Sequence, residues 1–89
     1  MKEIYIATRH WSDEEGRPRQ FHYFLTVEEV DTGRFCCEDY GVRITEDEQN
    51  SVTLPSLTTS AFRMDQLMTL LVDNLVGPIG LPDVVADWL

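Results

Sequence analysis

The stretch "RFCCEDYG", residues 34–41, sets Cys36 beside Cys37, the two cysteines of the chain. With His10 and His22 they make a two-cysteine, two-histidine set, the donor types of a structural zinc site. Such sites draw two ligands from one local element through CxxC or HxxxH spacing, and neither spacing occurs here. If residues 34–44 are extended, Cys36 and Cys37 point to opposite faces of a sheet. One ion cannot then be gripped by both, and a disulfide between neighbours demands a strained backbone. The simpler reading makes Cys37 a small core hydrophobe and Cys36 a half-exposed strand residue. As a nucleophile Cys36 is poorly placed. Glu28 and Glu38 share its expected face and their charge raises a thiol's pKa, with Arg34 a partial counterweight.

The carboxylates are many but badly arranged for catalysis. Glu28 and Glu29 straddle the two faces of a strand. "TEDEQNS" offers Glu46, Asp47, Glu48 and Asn50 to a hard cation, without the alternating ligands and glycine of a calcium loop. The histidines are isolated, and His22 suits a strand surface better than a general base. No GxSxG, GxGxxG, phosphate-cradling loop or HExxH occurs. No catalytic residue, cofactor or metal ligand is assigned, and an enzyme is the minority reading.

The elements that must position these residues follow from length and pattern. At 89 residues the chain is long enough for one core, so residues 1–89 are read as a single domain. Residues 3–11 alternate, with Ile4 and Ile6 on one side and Tyr5 and Ala7 on the other. "SDEEGRPR" breaks that strand. Phe21, Tyr23, Leu25 and Val27 then fall on one face, with His22, Phe24, Thr26 and Glu28 on the other. "VDTGR" predicts a bulged hairpin with Gly33 as its left-handed residue. Pairing Val30 with Arg34 sets Val27 opposite Cys37, Leu25 opposite Asp39, Phe24 opposite Tyr40 and His22 opposite Val42. "SVTLPSLTT" predicts a short fourth strand that Pro55 confines to an edge.

The last third changes period. Ser60 caps a helix carrying Met64, Leu67, Met68, Leu71 and Leu75 at helical spacing, stopped by Asn74 and Gly77-Pro78 with the glycine as left-handed cap. A second short helix starts at Pro82, with Val84, Val85, Trp88 and Leu89 on its docked side. Strands within 3–59 and helices within 60–89 predict an α+β fold. It is an antiparallel β-meander of about four strands, with one longer and one short C-terminal helix packed on one face.

The blocks "HYFLTVEEVDTGRFCCEDYGVRIT" and "TTSAFRMDQLMTLLVDNLVGPIGLPDVVADWL" resemble a family of small proteins of unknown function from gut Firmicutes. The resemblance spans most of the chain. It implies a bacterial, cytoplasmic protein and carries over no activity and no site residue.

Charge narrows the partners. The formal net charge is −9, and residues 44–89 hold seven acids against Arg63 alone. Such a surface repels phosphate backbones and anionic lipid, so neither nucleic acid nor membrane is expected as a partner. "MKEIYIATRH" has no signal-peptide pattern and "LMTLLVDNLV" is too short to span a bilayer, which predicts a cytoplasmic location. The predicted register clusters His22, Phe24, Tyr40, Val42 and Ile44 on the face away from the helices, with Tyr5 a neighbour. An uncovered aromatic patch of that kind marks an interface. A bulge near Glu38–Gly41 would instead turn Tyr40, Val42 and Ile44 inward. The leading expectation is a protein-interaction or regulatory module that binds a protein partner or a second copy. The alternatives are a metal- or thiol-dependent function centred on Cys36 and Cys37, and an acidic mimic of nucleic acid.

Overall fold

The computed structural model describes residues 1–31, 33–34 and 36–89, with Cys36 described by its backbone. Four strands precede two helices: β1 (Lys2–Ser12), β2 (Pro18–Asp31), β3 (Cys36–Thr45), β4 (Ser51–Thr58), α1 (Ala61–Asp73) and α2 (Leu81–Trp88). The strands form one sheet in chain order, each antiparallel to its neighbour. This is the expected α+β meander. Each strand connection carries an aspartate whose side chain replaces a ladder partner. Asp13 Oδ1 accepts from the amides of Glu15 and Arg17, Asp31 Oδ1 from Gly33, and Asp47 Oδ1 from Gln49 and Asn50. Short acidic side chains that fold back on their own backbone favour turns over continued strand.

The register of the central hairpin corrects the sequence reading. Val30 pairs with Cys37, not Arg34, so Tyr23 faces Ile44, Leu25 faces Val42 and Val27 faces Tyr40. An odd offset exchanges the two faces of a strand. Val42 and Ile44 are therefore fully buried in the core, and Tyr40 packs against it half-buried. Burying two such side chains contributes about 1.5–3 kcal/mol each, more than a preferred turn type can offset. The inward direction matches the second reading of the sequence, but its cause differs. The β2–β3 ladder runs unbroken from His22/Thr45 to Asp31/Cys36. Gly33 keeps the expected left-handed backbone at φ 86°. The rest of the predicted turn, at Thr32, lies outside the described residues.

The irregularities fall in the outer strands. β1 shifts register between Tyr5 and Ala7, which puts Ile4 and Ala7 on the core face and Tyr5 on the other. Ile6 lines the cleft beside Ala7 and Leu25, so Ile4 and Ile6 share a side as expected, whereas Tyr5 and Ala7 do not. In β4, Pro55, Ser56 and Leu57 stand opposite Gly41 alone, with Ser56 at φ 56°.

The helices close one face. Ser60 Oγ accepts from the Arg63 amide as the expected N-cap, and Met64, Leu67, Met68 and Leu71 are buried. At the other end Leu75, not Gly77, is the left-handed residue, at φ 54°. The Leu75 and Val76 amides donate back to the Val72 and Leu71 carbonyls, a Schellman closure. Gly77 answers to packing instead, as its Cα lies against the Phe21 ring. α2 buries Leu81 and Val85, and Trp88 docks beneath the Arg63 guanidinium, 4.4 Å from its ring centre. Leu89 is exposed, so the apolar pair at the end does not dock together as expected.

Two bonds stitch the end of α1 to the sheet. Arg9 Nη1 donates to the Val72 carbonyl at 2.7 Å, and Tyr23 Oη donates to the Val76 carbonyl at 2.8 Å. α1 itself lies over β3 and β4. Towards β1 the flank of α1 and the sheet part to leave a cleft.

Candidate functional site

The Cys–His set is not assembled. Cys37 stands opposite Val30, eight strand residues from His22, a separation of about 27 Å. It is half-buried with a free thiol, on the face away from the helices rather than in the core. The Cys36 side chain lies outside the described residues. Among the described residues no three of His, Cys, Asp and Glu converge to hold an ion. Asp47 is occupied by its own turn, and the amides of Asn50 and Gln49 hold its carboxyl below the usual carboxylate range.

Of the six predicted interface residues, the fold keeps three together. Tyr5 and Phe24 pair across β1 and β2 edge to face, with ring centres 5.8 Å apart. His22 Nδ1 hydrogen-bonds with Thr8 Oγ1 at 2.8 Å, and Thr8 Oγ1 with Tyr5 Oη at 2.7 Å. Arg43 lies over the Phe24 ring and donates to Glu3 Oε2 at 3.0 Å, so the patch is partly roofed. Tyr40, Val42 and Ile44 are on the other face. The register that buries the last two removes them from any surface. The predicted aromatic cluster therefore reduces to Tyr5, His22 and Phe24.

The two edges of the sheet differ. β4 is an edge broken by Pro55 and by the three-residue bulge, which leaves no continuous ladder to extend. β1 holds no proline and a smaller irregularity, the one-residue bulge at Ile6, and among the described residues no strand pairs with its outer side. Ile4 and Ile6 are 39% and 41% exposed along it. Beside β1, under the flank of α1, runs a cleft of about 340 Å³. Ile6, Ala7, Leu25, Met68 and Val72 give it apolar walls, and Asp65 and Asp73 stand at it from the helix. Sequence reasoning missed this cleft. The strand alternation and the helix stripe were both visible, but which strands the helix covers is a long-range matter.

A second cavity, of about 380 Å³, lies between Trp11, Phe21, Leu75 and Pro78. Arg19 crosses the Trp11 face at 5.2 Å while bonded to Glu46. The Trp11 indole N–H is buried with no acceptor among the described residues.

The fold and surface define an α+β protein in which a four-stranded meander, with β1 and β4 at its edges, is backed on one face by two helices. The chain belongs to a family of unknown function, DUF6514, whose profile matches residues 2–89. No curated protein and no solved structure matches it. Among the described residues no helix is long and apolar enough to cross a membrane.

Proposed function

We propose that this chain is a small acidic protein-interaction module of the bacterial cytoplasm, which takes a protein partner or a second copy along the outer edge of β1. The contrast between the two sheet edges supports the reading most. Edge strands recruit other strands unless proline, a bulge or charge blunts them. β4 is blunted by Pro55 and a three-residue bulge, whereas β1 has a single extra residue at Ile6 and presents Ile4, Tyr5 and Ile6 in succession, 39%, 58% and 41% exposed. Adding a strand to such an edge uses main-chain hydrogen bonds for affinity and alternate side chains for selectivity. The net charge of −9 favours basic partners.

The test compares wild type with Ile4→Lys/Ile6→Lys, since lysines on an edge oppose strand addition. Light scattering at micromolar protein reads self-association, and affinity capture with cross-link mapping reads partners. Contacts that map to β1 and vanish in the variant support the proposal. A monomer that retains the same proteins with and without the lysines would remove it.

A further inference from the structure

We infer that the cleft between β1 and α1 seats an extended segment of a partner protein in which one apolar side chain lies between two basic ones at alternate positions. The inference rests on the interaction reading above and names the chemistry of the partner. Three features of the cleft converge on it.

The first is its lining. Its volume of about 340 Å³ falls within the range of ligand sites, and Ile6, Leu25, Met68 and Val72 make its walls apolar. Water held against such walls is readily displaced by an aliphatic side chain. The second is charge. Asp65 and Asp73 are the charged groups lining the cleft, and neither joins an ion pair among the described residues. Arg9, the base of β1 that reaches α1, donates to the Val72 carbonyl. The cleft is therefore negative at its rim and apolar within.

The third is spacing. Asp65 and Asp73 are eight helical residues apart, about 12 Å along the axis. In an extended chain residues i, i+2 and i+4 share a face, and i to i+4 spans about 13 Å. An extended segment laid in the cleft alongside α1 can thus set a basic residue near each aspartate and an apolar residue between them. A second copy fits this less well. Its own β1 bases, Lys2 and Arg9, are seven residues apart, and two chains of −9 repel each other.

The probe is the capped peptide Thr-Arg-Thr-Leu-Thr-Arg-Thr, titrated into isotope-labelled full-length protein at low ionic strength and followed by amide shifts. Shifts gathered on β1 and α1 are expected. Affinity should fall about fivefold in Asp65→Asn/Asp73→Asn, two exposed positions whose loss leaves the fold intact. Replacing both arginines of the peptide by glutamate should abolish binding. Moving the leucine one place, onto the opposite face, should weaken it. Absence of shifts at millimolar peptide, shifts centred elsewhere, or equal binding of all three peptides would overturn the inference. So would concentration-dependent shifts of the same amides without peptide, which would put a second copy in the cleft. If partners depend on β1 in the lysine variant while the peptide fails, the interaction reading stands and the cleft assignment alone falls.

Discussion

The ring of Phe21 lies so close to Gly77 that a methyl group there would sit 2.7 Å from Phe21 Cζ. This contact joins β2 to the segment between the helices. Gly77→Ala must displace a core ring, and overpacking of that kind costs about 1–3 kcal/mol. Shrinking the ring in Phe21→Leu/Gly77→Ala should return part of the loss, so a double-mutant cycle by urea denaturation should show coupling. Gly33→Ala is the control. Its added carbon meets nothing within 4 Å, and φ of 86° alone is strained, at about 1–2 kcal/mol. Strict additivity of Phe21→Leu and Gly77→Ala would mean that the ring is not what the methyl meets.

Trp11 is large and packed against the core, yet its indole N–H has no acceptor among the described residues. A buried donor left unpaired costs about 1–3 kcal/mol. Trp11→Phe removes that donor while keeping an aromatic face beside Phe21, whose ring centre lies 5.3 Å away. The lost area and the unpaired group should offset each other, leaving a net change within about 1 kcal/mol in either direction. A loss of about 3 kcal/mol or more in denaturant unfolding would show the indole nitrogen to be bonded after all.

Burial pushes the Tyr23 phenol from 10.0 up to about 12, with the charge of Arg9 opposing the rise. The protonated form also donates to the Val76 carbonyl. A folded-state pKa above the unfolded one means that the unfolded chain loses its proton first. Stability is full below pH 10 and falls as the pH climbs from 10 to 12. A shift of that size corresponds to roughly 2–3 kcal/mol. Tyr23→Phe should cost about 1–2 kcal/mol at neutral pH through the orphaned carbonyl, and should flatten this alkaline limb. An unchanged limb in the variant would assign it to other groups.

The acid limb has the opposite sign. The Arg17 amide lowers the Asp13 carboxyl below its ordinary value against a smaller effect of burial, helped by the Glu15 amide and Arg19. Asp47 is lowered in the same way by its turn amides. Depressed carboxylates stabilise above their unfolded pKa, and that contribution disappears as pH falls through the folded value. Stability should therefore decline below about pH 4. Asparagine keeps the turn acceptor and removes the charge, so Asp13→Asn/Asp47→Asn should unfold with a shallower acid dependence. An acid profile that overlays that of wild type would discard these two turns as its source.

The sequence announced what depends on near neighbours. The alternation from Phe21 to Val27 and the capping at Ser60 are local signals, and both stand in the fold. The hairpin register is not local. A favourable turn at Asp31 to Gly33 competes with the burial of Val42 and Ile44, and burial decides. That one offset carried Tyr40, Val42 and Ile44 off the expected interface and turned Cys37 to the face away from the helices. The shift at Ile6 had no marker, because "IYIA" alternates as cleanly as a regular strand. The cleft was illegible for a further reason, since it exists only because α1 sits over β3 and β4 instead of β1.

Gly41 lies directly against the β4 bulge. A side chain there would lie 2.4 Å from the Leu54 carbonyl oxygen, 2.6 Å from Pro55 Cα and 2.6 Å from Thr26 Oγ1. Two of these are backbone atoms of the β4 bulge, which arches over Gly41 and covers Thr26. Gly41→Ala must therefore lift the bulge from the sheet, at a cost of about 3 kcal/mol or more. Adding Thr26→Ala should not rescue it, because the backbone contacts remain. Lifting the bulge also frees the β4 ladder, so the variant should associate edge to edge at concentrations where wild type stays dispersed. Denaturant unfolding together with light scattering reads both effects. A stable, dispersed Gly41→Ala protein would show that the bulge does not rest on this glycine and does not guard β4, and the contrast that singles out β1 as the interaction edge would lose its basis.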